Sequence, residues 1–196
     1  MQRGAPRYGK DSIGVFGYGS LLTDPGKDIG DHEIARITQL SPWRIEYARC
    51  SRGRSGAPTL VIHDKGQPVA GAILVLDLRS DPKGEKLLLV REWVRKRECE
   101  PPLERIKVMA LAGLSNVVYV DLSSNIPDDK LNADYLAGLA IKSVVPEPER
   151  NGIRYLADNI ARNIDTPLTD AYRAAILRLT GAKDLAEAEQ KAKTRG

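Results

Sequence analysis

Val15–Leu22 reads VFGYGSLL. Two glycines bracket a tyrosine, a serine follows, and apolar residues flank both sides. Consecutive amides in such a turn can bind an anion, and Gly17 and Gly19 let the backbone approach a ligand closely. Tyr18 and Ser20 add hydroxyls beside it. The dinucleotide fingerprint G-x-G-x-x-G fails, because Leu22 stands at its third glycine, and the Gly-Lys-[Ser/Thr] of a phosphate-binding loop is absent. Two readings stay open: an ordinary tight turn, or a cradle for the carboxylate of an amino acid or peptide.

A cradle does chemistry only beside an acid or base. In LLLVREWVRKRE (residues 87–98), helical spacing sets Glu92 between the directions of Leu88 and Leu89. A carboxylate desolvated by leucines holds its proton more tightly, which suits proton transfer near neutrality. The other reading of Glu92 is a surface glutamate paired with Arg95 or Lys96.

The elements that must position these residues follow from pattern. Ile13–Gly17 reads as a short buried strand ending in the turn, and residues 23–41 read as irregular, with Asp24-Pro25-Gly26 a strong turn signal. Trp43–Arg49, Thr59–His63 and Val69–Leu76 read as strands, the last a continuous apolar run. Asp81-Pro82 opens a helix that runs to about Lys96 and is stopped by Pro101-Pro102. Ile106–Leu111 and Val117–Leu122 follow as strands joined at Ala112-Gly113. Asp128–Ser143, Asn151–Ile164 and Pro167–Thr180 carry helical periodicity. Strands with one early helix, then helices, make an α+β chain rather than an alternating βαβ one. The expected architecture is a curled or partly closed mixed β-sheet with one catalytic helix and a C-terminal helical segment. Residues 1–12 are expected to be loose, 13–182 to form a single domain, and 183–196 to form a polar C-terminal tail, a terminal helix that frays.

Composition narrows the class. The 196 residues carry 30 Lys and Arg against 26 Asp and Glu, a net charge of +4, spread along the chain rather than gathered. A nucleic-acid partner is not expected. The two cysteines, Cys50 and Cys99, and two histidines, His32 and His63, have no metal-ligand spacing, so no metal is expected. No apolar run is long enough to span a bilayer, and the first 14 residues lack a secretory signal's apolar segment. A cytoplasmic protein without a membrane partner is expected.

VFGYGSLL, followed about seventy residues later by Arg91-Glu92 in an apolar helix, resembles the γ-glutamylcyclotransferase superfamily, and within it the ChaC-like, glutathione-specific branch. SRGRSGAP (51–58), VAGAIL (69–74) and NGIRYL (151–156) resemble further segments of that family. The chain departs from it at Leu22-Thr23 and at Glu100-Pro101-Pro102. The resemblance implies that Gly17, Tyr18, Gly19, Ser20 and Leu21 hold a γ-glutamyl group, that Glu92 is the catalytic acid and base, and that Tyr155 helps line the pocket. It implies a small γ-glutamyl substrate, glutathione or another γ-glutamyl amine, cyclised to 5-oxoproline without a cofactor. A non-catalytic binding domain using Arg49, Arg52 and Arg54 is the reading from another class.

Overall fold

A computed structural model of the chain describes residue 8 and residues 12–79 and 85–194. Its elements group into two compact units, Met1–Gln39 with Gly71–Asp121, and Leu40–Ala70 with Leu122–Gly196.

The first unit is built on a five-stranded mixed sheet in the order β2-β5-β1-β7-β6. β1 (Ser12–Gly17) lies at its centre, antiparallel to β5 (Ala70–Asp77), with Ile13 opposite Leu76 and Gly17 opposite Ala72. On its other side β1 runs parallel to β7 (Leu114–Val120), Gly14 facing Val117. β6 (Ile106–Leu111) and β7 form an antiparallel hairpin through Ala112 and Gly113, both at positive φ (51° and 82°). Two such residues make the turn whose twist matches its flanking strands. The sheet has two edges, β2 and β6, and does not close into a barrel.

After β1 come one helical turn, α1 (Ser20–Thr23), and a short helix, α2 (Lys27–His32), then edge strand β2 (Glu33–Leu40). Residues 23–41 thus hold a helix and a strand where the pattern reads irregular. β2 is hidden because its isoleucines are three apart and cannot share a strand face, and Ile34 is 57% exposed. The helix read from Asp81 appears as α3 (Lys86–Arg97), its proposed cap lying outside the described residues. α3 packs against β1, β6 and β7. Val90 and Val94 enter a core with Ile13, Val15, Leu21, Leu74, Leu76 and Val118, and Leu87 and Trp93 pack at its margin.

The second unit pairs β3 (Ile45–Ser51) and β4 (Ala57–Ile62) as an antiparallel two-stranded sheet. With it go α4 (Ala133–Lys142), α5 (Gly152–Ala161), α6 (Thr169–Thr180) and α7 (Leu185–Thr194). α4 and α5 pack on β4, and α7 packs on α5 and α6. Tyr47, Leu136, Ile153, Leu156 and Tyr172 fill the interior. The segment read as a fraying polar helix is a helix, but it buries Ala188, Glu189 and Ala192 on one side of α7. Small alanines give that face a weak hydrophobic signature in sequence. Among the described residues no helix is long and apolar enough to cross a membrane.

Candidate functional site

Strand β1 delivers the glycine-rich turn. A Cβ on Gly17 would stand 2.5 Å from Leu21 Cδ2 and 2.8 Å from its Cγ, so the position admits glycine because Leu21 folds back over it. Leu21 is buried in the core with Val90 and Val94. Gly19 precedes α1 at φ 59°, a left-handed backbone that costs a residue with a side chain energy. The turn closes through Leu22 N–H to Gly19 O at 3.2 Å and Asp24 N–H to Ser20 O at 2.9 Å. Tyr18 is half-buried, its ring tilted against Phe16 with centroids 6.5 Å apart. Ser20 is half-buried, and its Oγ accepts a hydrogen bond from Arg97 Nη2 at 3.3 Å.

That bond ties the turn to the last turn of α3. Arg97 also donates from Nε to Asp24 O at 2.7 Å and from Nη1 to Glu98 Oε1 at 3.2 Å. Glu98 caps the helix, its amide donating to Val94 O at 3.0 Å, and its side chain is 26% exposed. A carboxylate and a serine hydroxyl therefore share one guanidinium at the end of β1.

Glu92 is placed differently. At about 100° per residue it stands about 160° round the helix from both Val90 and Val94, on the side of α3 turned from the sheet. Leu88 shares that side and is 48% exposed. Four consecutive apolar residues, Leu87–Val90, cover every side of a helix, so the packing of Val90 and Val94 decides which leucines go inward. The Glu92 side chain is 35% exposed, and its Oε2 accepts from Arg95 Nε at 2.8 Å. Arg91 turns to the core side and bonds the carbonyls of Ile106 (3.1 Å) and Leu103 (2.9 Å).

Tyr155 belongs to the second unit. Its hydroxyl accepts from Leu60 N–H at 3.4 Å, its ring meets Tyr47 edge-on, and the Arg54 guanidinium lies 4.5 Å over it. Arg54 also donates to Arg150 O, and Arg49 to Ser123 O at 2.8 Å. Of Arg49, Arg52 and Arg54, two are thus engaged within their own unit. Cys50 is half-buried, and burial pushes its thiol up from the usual range. The His32 ring lies tilted against Trp93, ring centroids 4.7 Å apart and planes inclined by 35°. Among the described residues no three of His, Cys, Asp and Glu lie together as metal ligands would.

Arg97 and Glu98 escape the sequence reading, although a signal for them exists. The chain carries two Arg-Glu pairs six residues apart, Arg91-Glu92 and Arg97-Glu98, and the sequence ranks the first higher, because leucines flank Glu92 while Glu98 lies in charged surroundings. The contact of Arg97 with Ser20 favours the second. Compared with family models, curated proteins and solved structures, the chain matches none.

Proposed function

We propose that this protein is a γ-glutamylcyclotransferase, forming 5-oxoproline from glutathione or another γ-glutamyl amine in a cytoplasmic setting that suits its free cysteines. The observation that carries the reading is the Arg97 bridge between Ser20 Oγ and the Glu98 carboxylate, which brings an acid to the glycine-rich turn. The residues given the reaction all belong to the first unit; Tyr155, which the resemblance adds, belongs to the second.

The chemistry needs little more. The substrate's α-amine attacks its own γ-carbonyl carbon, a C–N bond closes the five-membered lactam, and the original amide C–N bond breaks. The nucleophile is tethered, so holding the glutamyl chain folded supplies much of the acceleration. One carboxylate takes the proton that the ammonium must lose and returns it to the departing nitrogen. Ser20 Oγ accepts from Arg97, which leaves its O–H as a donor for the substrate. The amides of the Tyr18–Leu21 turn steady the oxygen of the γ-carbonyl as it gains charge.

The resemblance gives the carboxylate to Glu92; the contacts of α3 favour Glu98. The two are separated by assaying 5-oxoproline release from glutathione and from γ-glutamyl-alanine. Glu98→Gln is expected to lose about a hundredfold or more in kcat while keeping its circular dichroism spectrum. Glu92→Gln is expected to lose less than about tenfold. The opposite ranking returns the role to Glu92, and a wild-type protein that releases no 5-oxoproline from either compound overturns the reading. A polyanion-binding function is less well supported, because Arg49 and Arg54 are engaged internally.

A further inference from the structure

An arginine in the last turn of a helix ordinarily extends its head to water or to the helix's own final carbonyls. Arg97 does neither. Its side chain is 20% exposed, and its stem lies against Gly26, where an added Cβ would sit 3.5 Å from Arg97 Cδ. Its three nitrogens serve three different acceptors: Nε the carbonyl of Asp24, Nη2 the hydroxyl of Ser20, Nη1 the carboxylate of Glu98. Two of these acceptors come from the turn after β1, more than seventy residues earlier in the chain.

The backbone around Glu98 is fixed as well. Cys99 and Glu100 both take left-handed conformations, φ 61° and 55°, which residues with side chains seldom adopt. Glu100 N–H returns to Arg95 O at 2.8 Å. Glu98 is therefore held through its main chain on one side and through the Arg97 guanidinium on the other. The other α3 arginines do different work: Arg91 bonds backbone carbonyls and Arg95 pairs with Glu92.

We infer that Arg97 is the positioning residue of this site, setting the separation and orientation of the Ser20 hydroxyl and the Glu98 carboxylate without touching the reacting atoms. The inference rests on the cyclotransferase reading. A guanidinium can do this because its N–H groups diverge in one rigid plane, so neighbouring nitrogens fix two acceptors side by side. An ammonium carries the same charge at a single point and cannot hold three acceptors in that arrangement.

The test uses the full chain with glutathione or γ-glutamyl-alanine, whichever the wild type turns over faster, and compares Arg97→Lys and Arg97→Ala. Arg97→Lys is expected to lower kcat about tenfold or more through misplaced groups, with KM within about threefold and an unchanged melting temperature. Arg97→Ala is expected to lose more, and added guanidinium ion at millimolar concentration restores part of its kcat but none of that of Arg97→Lys. Where Arg97→Ala fails to fold, Arg97→Lys carries the test alone. An Arg97→Lys kcat within about twofold of wild type, or a raised KM at unchanged kcat, overturns the inference and leaves the cyclotransferase reading standing. A wild type inactive on both compounds overturns both.

Discussion

Glu46 is a carboxylate with no exposed surface, an arrangement that stands only with partners. Its Oε1 accepts from Thr166 Oγ1 at 2.6 Å and from the Tyr47 amide at 2.8 Å. Burial nevertheless dominates and raises its pKa, against the opposing pull of Thr166, the Tyr47 and Leu168 amides and His63. The sign for stability follows. A carboxyl that binds its proton more tightly folded than unfolded contributes fully below the unfolded pKa of about 4.3, and that contribution is lost as pH rises through the folded value. Each tenfold difference in proton affinity between the two states is worth about 1.4 kcal/mol. Glu46→Gln keeps the shape and an acceptor and removes the titration. The wild type is expected to lose urea stability relative to Glu46→Gln as pH is raised from about 4 towards neutrality. Parallel pH profiles for the two proteins would show that Glu46 titrates alike in both states. None of this is legible in sequence, where Glu46 is one acid in a strand that alternates only in part.

At the scale of elements, the strands that read cleanly are those whose environment is uniform. β5 is a continuous apolar run because both faces are covered. α3 is legible as a helix but its inward side is not, so a glutamate among leucines by spacing turns out to stand beside the exposed Leu88 and Arg95. The start of α5 is legible for a different reason. Asn151 precedes it, and its Oδ1 accepts from the Arg154 amide at 3.0 Å, as a capping residue does. What the sequence hides is the second use of that side chain. Asn151 Nδ2 donates to Pro148 O at 3.0 Å and to Glu189 Oε1 at 3.2 Å, joining α5 to α7. Glu189 also takes Arg154 Nε and Lys193 Nζ, and these partners hold its carboxyl below the usual range against the effect of burial. Asn151→Ala removes the cap and the donor together and is expected to cost about 2–3 kcal/mol in urea unfolding. Asn151→Ser keeps a capping oxygen and is expected to recover about 1 kcal/mol of that. A loss below about 0.5 kcal/mol for Asn151→Ala would mean that the cap and the junction are both dispensable.

For the whole molecule, chain order conceals the grouping of elements. Each compact unit draws on two separated stretches, and residues 40–70 lie in sequence between the two halves of the unit to which they do not belong. Periodicity reports local structure and carries no information on which distant stretch completes which core. The helices of residues 122–196 illustrate the consequence. Tyr172 on α6 is fully buried and meets the Tyr47 ring edge-on at 5.3 Å, Asn159 on α5 donates to Tyr47 Oη, and Thr166 donates to Glu46. Tyr155 on α5 takes the Leu60 amide. All of these partners lie on β3 and β4, so the helical stretch alone would expose its largest buried ring and lose partners for three polar groups. With 75 residues it is also near the size at which a single core rarely supplies more than about 3–5 kcal/mol. A fragment of residues 122–196 is therefore expected to show reduced helical ellipticity and no cooperative thermal transition, and co-expression with residues 40–70 is expected to restore both. A sharp, cooperative melt of the isolated fragment would mean that α4–α7 form a core of their own and that the β3–β4 hairpin only covers it.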